Sequence, residues 1–297
     1  MELKEKFISS FLAVDDYLNE GSLVHDIRSE AIKNFEATGF PTKKSEAWKY
    51  TSLKALLRDD LSIFPKQEAT VEFRDVRKYF LHDLDTYKIV FVDGQYSAFL
   101  STTTHEGMDV CLLSSALTKD KYKAVIENYF NQVAPQHGLN ALNTAFAKEG
   151  AYIYIPKHKE VDKPIEILYF YTGAESALML QPRNLIVVEE NAQVQIIERH
   201  QSLSEHAVLT NAVTEIFVNQ RAQVDYYKIQ NDQAQASLID STYVKQERDS
   251  VCSVHTFSFG GQLTRNNLNF YQHGEHAMSI MKGITLIEGK QHVDHNT

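Results

Sequence analysis

The sequence contains little cysteine and has no apolar run long enough to cross a membrane. Its 297 residues include two cysteines, Cys111 and Cys252. They exclude a disulfide framework and agree with a reducing compartment. No segment approaches the ~18 consecutive apolar residues of a membrane span, and charges occupy residues 1–7, where a signal peptide needs apolar side chains. These absences predict a cytoplasmic protein with no membrane partner.

Basic charge is also in deficit. Thirty lysines and arginines against 39 aspartates and glutamates give a net charge of −9, which argues against a nucleic-acid partner. A Gly-rich phosphate loop, a Cys-x-x-Cys pair and a nucleophile elbow are all missing, which removes the classes of enzyme that depend on them. The 43% of hydrophobic and 23% of charged residues are ordinary for a globular protein.

What the sequence does contain is a repeat in residues 185–297. The segment 188–194 (VEENAQV) returns as 218–224 (VNQRAQV), 30 residues later. Two less similar copies of the segment follow, in which the small residues Ser250 and Ala277 take the place of Ala222, 28 residues after Ala222 and 27 residues after Ser250. The units are rich in β-branched and aromatic residues and lack the spacing of amphipathic helices. This period and this composition predict stacked coils of a parallel β-solenoid.

Residues 1–60 are predicted to form a helical N-terminal region. Two apolar stripes at helical spacing indicate two helices, and their members are Leu3, Phe7, Phe11, Val14 and Leu18, then Leu23, Ile27, Ala31 and Phe35. Trp48, the single tryptophan, and Tyr50 follow. We interpret them as a staple that holds the helical region on its neighbour through buried aromatic area. A substrate-stacking role is the alternative.

The remainder divides near Gly150. Residues 61–150 mix predicted strands at 88–96 and 110–113 with predicted helices at 121–130 and 140–148, and we expect this region to pack on the core. Residues 151–297 are predicted to form the parallel β-helix core. Pro156 and Pro164 confine the strands beside them to edges or strand ends, because proline donates no backbone hydrogen bond.

Four motifs, in order, resemble the SufB/SufD family of iron-sulfur cluster assembly proteins. They are residues 46–51 (EAWKYT), 142–157 (LNTAFAKEGAYIYIPK) with 161–165 (VDKPI), 183–188 (RNLIVV) and 289–297 (GKQHVDHNT). The first motif, inside a helical N-terminal region, favours the SufD branch. The resemblance implies a mainly β fold, a right-handed parallel β-helix with a helical N-terminal region.

The resemblance also implies a function. A protein of this kind is expected to be a non-catalytic scaffold in a SufBCD-type complex, beside a SufB-like paralogue and a SufC-like ABC ATPase. No tightly bound cofactor is expected in the subunit itself, and the iron-sulfur cluster belongs to the complex. We expect dimerisation through the β-helix, with the paralogue or as a homodimer.

The sequence departs from the family pattern at its C-terminal end. Family members continue beyond the Val-Asp-His stretch at 293–295 with further coils, a Cys-x-His-Gly-Ala-Thr-like segment bearing a histidine implicated in cluster assembly, and helices that contact the ATPase. None of these has a counterpart here. We therefore expect a β-helix truncated at its C-terminal end, with the ATPase contact in the missing part. No functional residue is carried over from the family.

The histidines supply a rival hypothesis. Seven of the twelve lie in the last 98 residues, namely His200, His206, His255, His273, His276, His292 and His295. His292, Asp294 and His295 are candidate metal ligands of a cupin-like metal-dependent enzyme. In a strand, however, the first two share a face while His295 points away. The simpler interpretation is that these histidines are solvent-facing or satisfied by hydrogen bonds.

The cysteines also have a simple interpretation. Cys252 alternates with Val254 and Thr256, so it is expected on one strand face as a packing residue, and Cys111 is likewise expected to be structural. A β-helix carbohydrate enzyme would need acidic residues stacked on one coil face. The adjacent pair at 189–190 (EE) becomes 219–220 (NQ) in the next coil, so the sequence does not predict such a row.

Overall fold

The computed structural model describes residues 3–19, 22–58, 61–63, 71–102, 106–173, 177–203 and 206–297. Its helices are α1 (Leu3–Asn19), α2 (His25–Thr38), α3 (Phe73–Val76), α4 (Leu113–Ala116), α5 (Lys123–Tyr129) and α6 (Gly138–Phe146). Short 3-10 turns occur at Glu46–Trp48, Leu56–Arg58, Arg77–Tyr79 and Asp120–Tyr122. Within the described ranges, no helix combines the length and the apolar character that a membrane span needs.

The strands follow largely in the second half of the chain. They are β1 (Tyr87–Val92), β2 (Gln95–Tyr96), β3 (Asp109–Leu112), β4 (Ala151–Ile155), β5 (Ile165–Tyr171), β6 (Leu178–Leu180), β7 (Arg183–Val188), β8 (Gln193–Ser202), β9 (Val208–Val218), β10 (Gln223–Asp232), β11 (Ala236–Gln246), β12 (Val251–Gly260), β13 (Leu263–Gln272), β14 (Met278–Leu286) and β15 (His292–Asn296). β4 ends just before Pro156 and β5 begins just after Pro164, so both prolines stand at strand ends as predicted.

Two sheets are built from these strands. The first has the order β14-β12-β10-β8-β5-β1-β2 and the second β15-β13-β11-β9-β7-β4-β3, with β6 also pairing with β9. Neighbours are parallel except for the pairs β1–β2 and β3–β4. Because successive strands from β7 onward alternate between the sheets, the chain winds as a β-solenoid of roughly five turns. The predicted fold class is confirmed.

The sequence repeat corresponds to the register in which the strands of successive coils pair. Val194 pairs with Val224, Val224 with Cys252, and Cys252 with Ser279. The turn before each of these strands contains one non-glycine residue with positive φ, at Asn191, Arg221, Asp249 and His276. Each of these is followed by alanine or serine, so the small residues of the repeat mark one stacked turn.

The interior of the solenoid has an apolar and a polar half. Val194 and Ile196 of β8 point inward and join a buried cluster with residues such as Val224, Cys252 and Val254. Further along β8 the same inward alternation continues with Glu198 and His200, both of which are buried. Polar side chains therefore face the lumen in the second half of β8.

The N-terminal helices cover the outer face of the second sheet. Phe7 and Phe11 of α1, Phe35 of α2 and Leu142 of α6 share one buried cluster, whose members from the sheet side are Met179, Leu209, Ile239 and Leu263. Arg28 of α2 is buried and donates a hydrogen bond to the carbonyl oxygen of Ala147 just after α6. The helical region is thus part of the packed structure of the solenoid.

Strands from the predicted middle region continue both sheets. β1 pairs in parallel with β5 over residues 87–92, and β3 pairs with β4 in antiparallel fashion. The turn between β1 and β2 lies at Asp93 and Gly94, which have φ of 46° and 79°. The first sheet therefore begins well before Gly150.

Candidate functional site

The terminal coil carries the three histidine and aspartate residues singled out as candidate metal ligands. On β15, His292 lies with its Nε2 atom 3.0 Å from the hydroxyl oxygen of Thr51, and that hydroxyl also donates to the carboxylate of Asp294. His295 contacts a different set of residues, with Nε2 2.8 Å from the Thr285 hydroxyl and Nδ1 3.2 Å from Asn266 Nδ2. The strand alternation separates His295 from the other two, as expected.

Asp294 is already paired. Its carboxylate forms an ion pair with the buried guanidinium of Arg265 on β13. His295 is partly buried, which lowers its pKa and favours the neutral imidazole. The three candidates on β15 therefore act as structural partners of neighbouring residues. A metal bound jointly by His292, Asp294 and His295, as a cupin-like enzyme requires, finds no support in this geometry.

The 46–51 motif is docked on this terminal coil. The guanidinium carbon of Arg265 lies 4.3 Å from the ring centroid of Trp48, and its Nη2 atom donates to the carbonyl oxygen of Ala47 at 2.6 Å. Thr51 is buried. The interpretation of Trp48 as a staple is confirmed, but the same interpretation of Tyr50 is wrong, because that side chain is 77% exposed.

A charged cluster in the lumen is the most unusual chemical feature of the solenoid. It consists of Glu198 and His200 on β8, Lys228 on β10 and Asp240 on β11, and we call it the lumenal cluster. All four residues are buried. Ligand atoms of Glu198, His200 and Asp240 lie within 4.8 Å of one another, the only such set of three among the residues that the structure describes.

The register of the coils positions these side chains. Glu198 pairs with Lys228 on the next coil, and both point inward because they occupy equivalent positions in their strands. Lys228 forms an ion pair with Asp240 from the opposite sheet and donates to the Thr242 hydroxyl at 2.5 Å. The cluster thus joins both walls of the lumen.

The imidazole of His200 is held on both nitrogens. Nδ1 lies 2.6 Å from the hydroxyl oxygen of Tyr171, and Nε2 lies 2.6 Å from Oε1 of Glu198. The ring of Tyr169 stacks on the imidazole, with centroids 5.0 Å apart and planes inclined by 11°. These contacts fix both the position and the plane of the ring.

The two carboxylates differ in their surroundings. Burial alone would raise the pKa of Glu198, but the ammonium of Lys228 and the hydrogen bond with His200 outweigh it and lower the pKa to about 2. Burial raises the pKa of Asp240, and repulsion by Glu198 adds to that effect against the attraction of Lys228. The cluster therefore contains one carboxylate that is firmly ionised and one that is easier to protonate.

The cysteines occupy packing positions. Cys252 is fully buried beside Val254 in the lumen, and burial raises the pKa of its thiol far above the usual range. Cys111 is partly buried against the cluster around Leu113, and its pKa is also raised by burial. The structural interpretation of Cys252 is confirmed, since a thiol in these surroundings is neither a ready nucleophile nor a ready ligand.

Comparison with known proteins agrees with this architecture. Residues 170–297 match the family model described as the SufBD core domain of SUF system FeS cluster assembly, and residues 1–167 match the SufBD protein N-terminal region. The chain belongs to the SufBD family.

Three relatives illustrate the similarity. An iron-sulfur cluster assembly SufBD family protein of Synechocystis is 26% identical over 94% of this chain and 63% of its own length. Iron-sulfur cluster assembly protein SufD of Escherichia coli is 24% identical over 84% of this chain and 56% of its own. SufD of Bacillus subtilis is 22% identical, over 98% and 67%. The chain thus spans between 56% and 67% of the length of these relatives.

Proposed function

We propose that this chain is a SufD-like, non-catalytic scaffold subunit of a cytoplasmic SufBCD-type complex that assembles and transfers iron-sulfur clusters. The observation that carries the proposal is the match of the N-terminal and core family models, in that order, to residues 1–167 and 170–297. The partners would be a SufB-like paralogue and a SufC-like ABC ATPase. The cluster is then cargo of the complex, and the chain itself needs no resident cofactor for this role.

We propose that the chain dimerises through the β-helix, with the paralogue or with a second copy of itself. A solenoid contacts only neighbouring repeats and so offers a long rigid wall on which another solenoid can pack. The net charge of −9 argues against a nucleic-acid partner.

A genetic experiment tests the proposed function. The gene is deleted in its native organism, and the activities of several iron-sulfur enzymes are measured beside that of a zinc enzyme as a control. We expect the iron-sulfur activities to fall and the zinc activity to stay, with recovery when the gene is restored. Unchanged iron-sulfur activities, under conditions in which the gene is expressed, would contradict the proposal.

A further inference from the structure

We propose that Glu198, His200 and Asp240 form a binding site for one divalent transition-metal ion inside the solenoid. The inference concerns a property of this chain alone and does not depend on the proposed scaffold role. It rests on three features of the lumenal cluster: the donor set, an unpartnered carboxylate oxygen, and the orientation of the His200 ring.

The donor set suits a metal. One imidazole and two carboxylates are ligands for zinc, iron and manganese, which bind such atoms at about 2.0 to 2.2 Å. The three ligand atoms come from both walls of the lumen and already lie within 4.8 Å of one another. They therefore need to move little to surround one ion.

Asp240 supplies the second feature. The residue is 2% exposed, and its Oδ1 atom has no hydrogen-bond partner among the residues that the structure describes. Its Oδ2 atom is the one that pairs with Lys228. A buried carboxylate oxygen without a partner is rare in folded proteins and calls for an explanation, of which a bound cation is one. Oδ1 is free for a metal while Lys228 keeps Oδ2.

The orientation of His200 fits the same site. Metal-binding histidines almost always engage their second ring nitrogen in a hydrogen bond, which fixes the ring. Here Tyr171 holds Nδ1 at 2.6 Å, and Nε2 faces Glu198. An ion between Nε2 and the Glu198 carboxylate would replace that hydrogen bond and keep the Tyr171 contact.

Cobalt(II) is the probe, because its d–d absorption reports on the ligands. The whole chain is stripped with a chelator, titrated with Co²⁺ and then challenged with Zn²⁺. We compare the wild type with Glu198→Gln and Asp240→Asn. Asp232→Asn is the matched control, since Asp232 is a buried aspartate of the neighbouring strand β10 that lies outside the three ligands and bonds to Gln230 and Ser202.

We expect the wild-type chain to bind one Co²⁺ ion, which Zn²⁺ displaces. The affinity for Co²⁺ should be unchanged in Asp232→Asn and about 10-fold to 100-fold lower in the two ligand variants. Zn²⁺ should also raise the melting temperature of the wild type and of Asp232→Asn, because an ion that binds only the folded state stabilises it. That thermal shift needs no ligand variant, so its absence would count against the site even if those variants fail to fold.

Two results would overturn the site. One is a wild-type chain that binds no Co²⁺ in a saturable way and whose melting temperature Zn²⁺ does not raise. The other is equal binding by all folded variants, which would assign the metal to surface histidines.

Discussion

Glu215 joins the outer wall of the solenoid to the segment that follows α5. Its Oε2 atom lies 2.5 Å from Nη2 of Arg183, and both side chains are fully buried. The same carboxylate accepts backbone N–H groups of Asn131 at 2.8 Å and Val133 at 2.9 Å. One residue therefore neutralises a buried guanidinium and satisfies the backbone of a connecting segment.

We predict that Glu215→Gln is strongly destabilising. It leaves Arg183 as an uncompensated buried charge, and breaking a buried ion pair on one side costs about 3 to 5 kcal/mol in free energy of unfolding. Urea unfolding followed by circular dichroism measures the loss. The control is Glu190→Gln, whose partner Arg221 is 44% exposed and whose loss should cost less than about 1 kcal/mol. Equal effects of the two substitutions would refute the assignment.

Cys252 gives a second prediction at this scale. Because its thiol is fully buried and its pKa is raised by burial, it should resist a thiol reagent in native protein and react after denaturation. Cys252→Ser and Cys111→Ser should leave cluster assembly in cells intact, because neither thiol is expected to bind the cluster. Rapid native labelling of Cys252, or loss of iron-sulfur enzyme activity in a stably folded mutant, would overturn the structural interpretation.

At the scale of elements, the coils were predictable because each one repeats a local signal. The alanine or serine after the left-handed turn residue recurs at Ala192, Ala222, Ser250 and Ala277, and the strands pair in the register that these steps define. The N-terminal helices were predictable from spacing as well. α1 begins at Leu3 and carries the apolar stripe in its buried positions.

The lumenal cluster was not predictable in the same way. Glu198 and His200 are 40 or more residues from Asp240 in sequence, so their meeting depends on the position of one strand opposite another. A signal was nevertheless present. Both follow Val194 and Ile196 at alternate positions of one strand, and this alternation places charged groups on the face that is otherwise apolar. Charges continuing a buried stripe could have identified the site.

Docking of the 46–51 segment is an element-scale claim with its own test. Trp48→Ala removes the ring that lies against Arg265, and we expect a loss of about 1 to 2 kcal/mol together with faster tryptic cleavage at Lys43, Lys44 or Lys49. Limited proteolysis with mass spectrometry measures the rates. Tyr50→Ala is the control, because its 77% exposed side chain contributes little packing. Similar cleavage rates in the two variants would contradict the docked arrangement.

At the scale of the whole molecule, the solenoid offers a long rigid wall of stacked coils, and we expect the full gene product to dimerise through it, with itself or with the paralogue. Light scattering at several concentrations measures the association. A protein that stayed monomeric at high concentration and also failed to associate with the paralogue would contradict this prediction.

The central claim is that the chain works as one subunit of a cluster assembly complex. A tagged pull-down of the full gene product from its native cells, with partners identified by mass spectrometry and bound metal counted, tests it most directly. We expect recovery of an ABC-type ATPase and a second β-helix protein of the same family. Recovery of the chain alone, under conditions in which both partners are expressed, would contradict it.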